Sequence, residues 1–377
     1  MNTKLSRFLL IRQYDDKKSV VIQLLINCVI ATVVVMGLLK TENLVFFKEI
    51  KDFALDKIMY WQSDFEPTLH DGQEMQRMAL ITIDDQTYRD WGFPVMTPRD
   101  KLKGLIEKAV QSGANVIAVD IELAWASDGC VHAPDKPPPA CSPTLDTADK
   151  ALADYLHDIN AHDTIQPIIL SGMYRKPLQE NGSIDKDAFL ERQPSFLDEA
   201  LKAENNVFWA TAAFMADEDR IWRRSQLASL VCQAGHLTVV PSMQLLTALA
   251  ELHSHNGDTR QAVVAIRELK TRLNEWAKQF SCDVEEKTIA ELCSVHKNCP
   301  DLTVTLPQKS QINDKTHVID LAAADANDRI VYRFAPADKP ESRRRAVVDI
   351  HRAKEVLTHD GINAQNKIVL ILDDIDL

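Results

Sequence analysis

The chain has 377 residues, of which 45% are hydrophobic and 26% are charged. That length fits about two domains, and the apolar content excludes an intrinsically disordered protein. The formal net charge is −12 although residues 1–40 are net basic, so the remainder would repel nucleic acid and anionic lipid headgroups, and we exclude nucleic acid as a partner.

An apolar segment near the N-terminus predicts a membrane-spanning helix. Residues 19–39 contain no charged side chain and are long enough to cross a bilayer. Basic side chains precede the segment, so we expect residues 1–18 in the cytoplasm and the main domain in the periplasm. The apolar run is too long for a cleaved signal peptide, and no small-residue cleavage pattern follows it. Since no later segment reaches spanning length, we predict a single-pass protein of a bacterial inner (cytoplasmic) membrane.

Two amide side chains within this span predict a partner in the membrane. Gln23 and Asn27 are one helical turn apart, so both lie on one face of the helix. There they can hydrogen-bond a neighbouring helix, which would make other membrane protein subunits partners of this chain. The alternative is that both amides, being near the cytoplasmic end, reach the lipid headgroups.

The segment after the span predicts an amphipathic helix over residues 40–70. Its apolar side chains recur at spacings of three and four residues, which is typical of one helical face. This face consists of Leu44, Phe47, Ile50, Ala54, Ile58 and Trp61. It either packs on the following domain or also transmits movement from that domain to the membrane.

Six cysteines beyond the membrane segment predict disulfide bonds. An even count outside the cytoplasm is typical of three bridges, whose pairing the sequence leaves open. The candidates are Cys130, Cys141, Cys232, Cys282, Cys293 and Cys299. Zinc is the alternative for the last three together with His296, because their spacing resembles a metal-binding run. Without a C-x2-C pair, and outside the cytoplasm, we favour disulfides and predict no metal.

Residues 71–377 begin with a strand–helix–strand pattern. Residues 78–85 are an apolar run ending in carboxylates, and residues 115–123 are a second one. Between them, residues 97–113 predict a helix with Thr97 as its N-cap and a glycine at its C-terminal end. Such a unit is right-handed and has parallel strands.

The rest of this region continues the alternation of strands and helices. Further helices are predicted at 146–159, 243–253 and 349–359, and further strands at 164–173, 207–214, 220–231, 317–321, 329–335 and 367–372. We therefore predict an α/β fold with a Rossmann-like mixed sheet. Residues 251–313 look like a helical insertion in it.

The insertion contains a short heptad seam. Its apolar side chains alternate between spacings of three and four residues, too few for an independent coiled coil. They are Ile266, Leu269, Leu273, Trp276 and Phe280. The seam either packs on its own domain or docks another subunit.

Four acidic side chains follow the first two predicted strands. Asp84 and Asp85 end the first strand, and Asp120 and Glu122 end the second. The carboxyl ends of parallel strands are where α/β proteins bind ligands, so these residues are candidates for a calcium, magnesium or small-ligand site. The alternative is that they cap helices, pair with Arg99 or face water. We find no nucleophile, phosphate-loop or dinucleotide motif, and predict neither enzymatic activity nor a cofactor.

Several of these motifs occur together in a known family. In chain order they are an apolar strand ending in Ile83-Asp84-Asp85, a turn with Trp91, Gly92 and Pro94, the pair Pro98-Arg99, a strand ending at Asp120, an acidic turn with Asp217 and Asp219 leading to Arg223, Arg224 and Leu227, and the closing segments "RIVYRF", "AKEVL" and "NKIVLI". This order resembles the type 2 CHASE (CHASE2) domain, a sensory extracytoplasmic module associated with cyclases and histidine kinases.

The resemblance implies a sensor, with two departures from the family pattern. In the family the last strand runs into membrane helices that lead to a kinase, cyclase or phosphatase, whereas here "KIVLIL" continues as "DDIDL". The second departure is the size of the insertion. We therefore expect a sensor or binding module without its own output domain, which acts through a membrane partner and whose ligand the sequence does not identify. The alternative is a structural accessory subunit of a membrane complex.

Overall fold

The secondary structure follows the predicted alternation of strands and helices. In chain order the computed structural model contains β1 (Met78–Asp84), α1 (Asp85–Asp90), α2 (Arg99–Gln111), β2 (Val116–Asp120), α3 (Thr147–Asp158), β3 (Ile168–Gly172), β4 (Tyr174–Arg175), β5 (Leu190–Arg192), a 3-10 helix (Ala200–Lys202), β6 (Val207–Thr211), β7 (Phe214–Met215), β8 (Arg224–Ser225), β9 (Ala228–Gln233), β10 (His236–Pro241), α4 (Met243–Leu252), α5 (Arg260–Ala277), α6 (Ile289–His296), β11 (Thr303–Leu306), β12 (His317–Asp320), β13 (Val348–Arg352), α7 (Ala353–Thr358) and β14 (Ile368–Asp374).

These elements lie in the part of the chain that the structure describes. It comprises residues 78–126, 145–159, 166–179, 182–185, 188–202, 206–212, 214–215, 224–254, 258–285, 288–296, 303–306, 317–320, 348–358, 362–365 and 367–374, all within one compact unit. The predicted membrane span, the helix at 40–70 and the strand at 329–335 are outside these ranges. Within them, no helix combines the length and apolarity that a bilayer crossing requires.

A six-stranded parallel sheet forms the centre of the unit. Its strand order is β13–β1–β14–β2–β3–β6. A second, four-stranded sheet has the order β10–β9–β5–β4 and contains both antiparallel and parallel pairs. The α/β prediction is confirmed, whereas the mixed pairing lies in the second sheet and not in the main one.

Both faces of the main sheet are buried, which explains why its strands are continuous apolar runs. On one face, Ile81, Ile117 and Leu170 pack against α2, α3 and α7. On the other face, Val116 and Ile169 pack against α4, α5 and the second sheet. Because successive side chains of a strand point to opposite faces, β2 and β3 contribute to both cores.

The predicted strand–helix–strand unit has its two strands parallel in one sheet, but they are not neighbours. The C-terminal strand β14 lies between them, and its Leu370 is aligned with Leu80 of β1 and Ala118 of β2. Local sequence pattern does not indicate that β14 lies between β1 and β2, because β14 is far from both of them in the chain.

Two boundaries predicted from the sequence are wrong. Residues 349–359 were expected to be one helix, but Val348–Arg352 is the edge strand β13 and only Ala353–Thr358 is helical. Apolar and polar residues alternate in the strand half, and pairing with β1 outweighs its helix propensity. Residues 220–231 were expected to be one strand, but the described part divides into β8 and β9, and β9 turns back as β10 through Ala234 and Gly235, both at positive φ.

The start of α2 also differs from the prediction. The helix begins at Arg99 with Pro98 as its N-cap, and no side chain caps it. Thr97 instead donates its hydroxyl to the carboxylate of Asp373, at 2.9 and 3.1 Å. The C-terminal end is as predicted, since Gly113 has a φ of 76°.

The heptad seam packs on its own domain. Ile266, Leu269, Leu273 and Trp276 are buried in the core between α5, α4 and the second sheet. Trp276 also contacts the ring of Phe280 edge-on, with 5.4 Å between ring centroids. The range 251–313 holds the whole of the seam helix α5 together with α6, and it also contains β11.

One disulfide bond joins the second sheet to the end of α5. Cys232 of β9 is bonded to Cys282, with 5.7 Å between their Cα atoms. Cys293 is also disulfide-bonded. Because Cys282 and Cys293 are both oxidised, neither can supply the thiolate that zinc requires. The predicted candidates Cys130, Cys141 and Cys299 lie outside the described residues.

Removing the Cys232–Cys282 bond should destabilise the domain strongly. The two cysteines are 50 residues apart, and closing such a loop in the unfolded chain is worth about 4 kcal/mol in the chain-entropy account. We expect Cys232→Ala/Cys282→Ala to lower the free energy of unfolding by a value of that order in urea titrations under non-reducing conditions. A mutant midpoint equal to that of the oxidised wild type would contradict this expectation.

Candidate functional site

Three neighbouring strands of the main sheet end at a cleft. The cleft has a volume of about 290 Å³ and lies at the carboxyl ends of β2, β3 and β6. Among the described residues its lining consists of Asp120, Glu122, Ser171, Gly172, Met173, Tyr174, Thr211 and Ala212. This is the edge of a parallel sheet at which α/β proteins bind ligands.

Asp120 is the last residue of β2 and is partly buried in the cleft. Its strand position puts it on the same face as Val116 and Ala118, whose side chains enter the core. Burial raises the pKa of Asp120, and a hydrogen bond from the Ser171 hydroxyl lowers it in part. The charge of Asp120 also raises the pKa of Asp373. Among the described residues no cation acts on the pKa of Asp120, so the carboxyl lacks a cationic partner there.

Glu122 reaches the cleft from the loop that follows β2, and this loop is fixed on two sides. Arg99 donates through Nη2 to the backbone carbonyls of Glu122 and Trp125, at 3.3 and 2.9 Å. The Ser195 hydroxyl donates to the carbonyl of Leu123. The exposed carboxylate of Glu122 therefore stands on a backbone that is held in place.

Arg99 is only 1% exposed and forms an ion pair with the fully buried Asp149 of α3. Its Nε lies 3.7 Å from Asp149 Oδ1, and its guanidinium faces the Phe196 ring at 5.5 Å. Burial lowers the pKa of Arg99, and Asp149 raises it again in part. Pairing with Arg99 is one alternative that the sequence leaves for the acids after the strands. The structure pairs Arg99 with Asp149, and the charges of Asp373 and Glu122 also raise the pKa of Arg99.

Tyr174 forms one wall of the cleft, and its place depends on Gly172. A Cβ atom on Gly172 would lie 2.8 Å from the Tyr174 ring, so only glycine leaves room for the tyrosine. Burial raises the pKa of Tyr174 to about 12, against the charge and hydrogen bond of Arg192, which lower it. The phenol is therefore neutral, and its oxygen accepts the hydrogen bond from Arg192.

Two cations lie behind this wall, and both have partners. Arg192 stacks on the Trp209 ring at 4.7 Å and forms an ion pair with Asp198. Lys270 of α5 donates to the Trp209 carbonyl at 3.0 Å. Burial lowers the pKa of Lys270 to about 8, with a further contribution from the charge of Arg192.

The structure separates the four predicted site residues into two pairs. Asp120 and Glu122 line the cleft, whereas Asp84 caps α1 by accepting from the Thr87 amide at 2.8 Å. Asp85 is exposed in the first turn of α1. In the part of the chain that the structure covers, no three His, Cys, Asp or Glu side chains are grouped to hold a metal ion.

Asp84 differs from Asp120 because its charge has partners. The Thr87 hydroxyl donates to it at 2.7 Å, and Arg352 Nε lies 3.1 Å from its second oxygen. Burial opposes ionisation, but Thr87 and Arg352 outweigh it and lower the pKa of Asp84.

One acidic residue at this edge was missed from the sequence. Asp373 lies in β14 between the two predicted strands and accepts from Thr97, with Tyr88 adjacent at 3.1 Å from the Thr97 hydroxyl. Burial raises the pKa of Asp373, while Thr97, Tyr88 and the charge of Arg99 lower it. The available signal was the apolar run of the last strand ending in carboxylates, the same pattern that marked Asp84.

The hydroxyl groups of the cleft were missed as well. Ser171 is the second-last residue of β3, Thr211 ends β6, and Tyr174 begins the short β4. Each is a common residue with no motif around it, and only its position at the carboxyl end of a predicted strand could have indicated it. Together with Asp120 and Glu122, these groups give the cleft carboxylate and hydroxyl oxygens beside its apolar lining atoms.

Comparison with known proteins gives one match. The family model of the CHASE2 domain matches residues 29–371, nearly the whole chain. Neither the curated proteins nor the solved structures contain a match. The match includes the strand ending in Ile83-Asp84-Asp85, the Arg99 segment, the strand ending at Asp120 and most of the last strand. The predicted resemblance is therefore confirmed. The chain therefore belongs to the CHASE2 family of extracytoplasmic sensory domains.

Proposed function

We propose that this chain is a membrane-anchored periplasmic sensor that binds a small polar solute in the cleft at the carboxyl edge of its parallel sheet. The observation that carries the proposal is the lining of this cleft. It combines a partly buried carboxyl at Asp120 with a second carboxylate at Glu122 and three hydroxyl groups. A sensory family assignment and a concave polar site at this edge of the sheet support each other.

The state of Asp120 favours a ligand site over a purely structural role. A buried carboxylate without a cationic partner reduces stability, and proteins keep such groups mainly at functional positions. The fixed loop that carries Glu122 adds to this, because a preorganised backbone reduces the entropy lost on binding.

Transmission of the signal would start from the same loop. Arg99 connects the main chain of Glu122 and Trp125 to the N-terminus of α2, which packs against α3 and α7. A ligand that displaces the loop would therefore act on this helical layer. We propose that the helices predicted at 40–70 and 19–39 carry the change to a partner protein in the membrane.

A structural accessory subunit is the second candidate, and one surface favours it. The turn between α1 and α2 exposes Phe93 to 70% and Val95 to 99%, and Phe93 has a φ of 55°. Exposed apolar side chains on a strained backbone are typical of contact sites for other proteins. In this alternative the domain binds its partner through the turn and has no solute ligand.

The sensor proposal predicts a solute that stabilises the wild-type chain through the cleft. We expect a screen of polar solutes by thermal denaturation of the detergent-solubilised full chain to raise the melting temperature, since a ligand at 100 times its dissociation constant contributes about 2.7 kcal/mol. Gly172→Ala should abolish the shift, because the new methyl group displaces Tyr174.

The control for that variant is Lys150→Ala, an exposed helical position of α3 that does not line the cleft. It should keep the ligand-induced shift. If no solute produces a shift, while Phe93→Ser/Val95→Ser removes co-purifying membrane proteins, the accessory role replaces the sensor.

Asp120→Asn should make the ligand-free domain more stable. Burial raises the pKa of Asp120 above its unfolded value, so the folded state loses stability as the pH rises through the interval between the two values, and the loss persists at pH 7. The isosteric amide is uncharged and removes this loss of stability. We therefore expect the free energy of unfolding at pH 7 to rise by about 1 kcal/mol in urea titrations.

The control is Asp84→Asn, which changes the net charge equally. Because Thr87 and Arg352 lower the pKa of Asp84, this variant should lose stability at pH 7 or leave it unchanged. The difference between Asp120→Asn and the wild type should disappear at acidic pH, where the wild-type carboxyl is protonated in both states. A destabilised Asp120→Asn would assign Asp120 a structural role.

The membrane partner is tested through the two amides of the predicted span. On the partner hypothesis, Gln23→Leu/Asn27→Leu removes hydrogen bonds worth about 0.5–2 kcal/mol each and weakens co-purification of other membrane proteins. The domain outside the membrane should stay folded and oxidised. As a control, Ile22→Leu/Ile26→Leu changes neighbouring positions without removing an amide. If the amide variant retains the same partners in the same amounts, the span is an anchor only.

A further inference from the structure

We infer that the cleft at the carboxyl ends of β2, β3 and β6 selects a small organic cation that carries a primary ammonium group. This inference rests on the proposed function, because it names the chemical class of the solute that this cleft binds. Three observations support it: the sign of the charges in the lining, the environment of Asp120 and the volume of the cleft.

The charged side chains in the described lining are both acidic. They are Asp120 and Glu122, and the remaining lining residues are neutral. An anionic ligand would face two like charges with no compensating cation in this lining, whereas a cationic ligand would neutralise them.

Three cations described by the structure near the cleft contact other groups of the domain. Arg99 pairs with Asp149 and binds two backbone carbonyls of the loop. Arg192 pairs with Asp198. Lys270 donates to the carbonyl of Trp209. None of the three belongs to the lining of the cleft, although the charge of Arg99 acts on Glu122 and Arg192 hydrogen-bonds Tyr174. None of them acts on the pKa of Asp120, so within the described residues this carboxyl has no cationic partner.

A ligand ammonium group supplies what Asp120 lacks. The carboxyl is partly buried, and within the described residues its one hydrogen-bonding partner is the Ser171 hydroxyl. A primary ammonium group has three N–H donors and no acceptor. It can donate to Asp120 and to hydroxyl oxygens of the lining, and its charge compensates the desolvated carboxylate.

Metal ions fit this site less well. Calcium binds six to eight oxygen ligands, and magnesium requires octahedral geometry. Within the described ranges no group of three acidic or other metal-ligating side chains can hold an ion. Asp84 and Asp85 do not add to the cleft, because they belong to the start of α1.

The size and the walls of the cleft limit the organic part of the ligand. A volume of about 290 Å³ corresponds to about ten water-sized groups and lies at the lower end of small-molecule sites. Met173, Ala212 and the backbone of Gly172 provide apolar contact for a short carbon chain. Glu122 is exposed, so a second ammonium group could pair with it.

The test measures binding of matched probes to the purified full chain in non-ionic detergent at constant ionic strength. The probes are n-butylamine, 1,4-diaminobutane, the neutral 1,4-butanediol, calcium chloride and magnesium chloride. We expect both amines to raise the melting temperature and to give a saturable calorimetric signal, and the diol and the two salts to give neither.

Two variants locate the binding. Asp120→Asn should weaken amine binding by about tenfold or more, because it removes a charge-assisted hydrogen bond. Glu122→Gln should weaken the binding of 1,4-diaminobutane more than the binding of n-butylamine. Asp84→Asn removes the same net charge outside the cleft and should leave both dissociation constants unchanged.

Several outcomes would overturn the inference. If the diol stabilises the chain as strongly as the amines, the cleft binds hydroxyl compounds, and the sensor proposal stands without the ammonium class. If calcium or magnesium binds through Asp120, the cleft is an ion site. If Asp84→Asn weakens the amines as much as Asp120→Asn, the effect is long-range attraction to an acidic protein. If no amine binds, the ammonium class is wrong, and the screen with Gly172→Ala still tests the sensor proposal independently.

Discussion

Strand β14 holds the centre of the main sheet together, because it hydrogen-bonds β1 on one side and β2 on the other. Its partners precede it by more than half of the chain, so the sheet forms only after a long loop has closed, at a large cost in chain entropy. The apolar residues of β14 offset that cost by entering both cores, with Leu370 on one face and Val369 on the other. The same pairing places Asp373 beside the ends of β1 and β2, where it accepts the hydrogen bond from Thr97.

The loop after β2 connects this sheet to the helical layer. Arg99 loses its hydration when it is buried, and Asp149 compensates part of that loss. Its Nη2 then binds two carbonyls of the loop, so an ionic interaction in the interior determines the backbone position of Glu122. A buried ion pair contributes little net stability. Its contribution here is geometric, since it fixes one side of the cleft relative to α2.

The aspartates at the ends of β1 and β2 show how the environment separates structural from functional carboxyls. Asp84 has a helix N-terminus, a threonine and an arginine around it, and its pKa is lowered. Asp120 is partly buried and accepts a hydrogen bond from one serine hydroxyl, and its pKa is raised. The first arrangement stabilises the fold, whereas the second reduces stability and leaves a carboxyl that a ligand can pair with. Both residues follow an apolar strand in the sequence, so sequence pattern alone treats them alike.

The sequence by itself determined the α/β class, the apolar strands at β1, β2 and β14, the extent of α2 up to Gly113, and the family, because these depend on local periodicity, on capping residues and on motif order. It also indicated Asp120 and Glu122 as members of one edge. Only the tertiary structure decided that β14 separates β1 from β2, that residues 348–352 form a strand, that Cys232 pairs with Cys282, and that Asp84 serves a helix while Ser171, Tyr174 and Thr211 complete the cleft. Apart from the local cap that Asp84 makes with Thr87, these features depend on contacts between residues distant in the chain, and local propensity contains no information about which strands become neighbours.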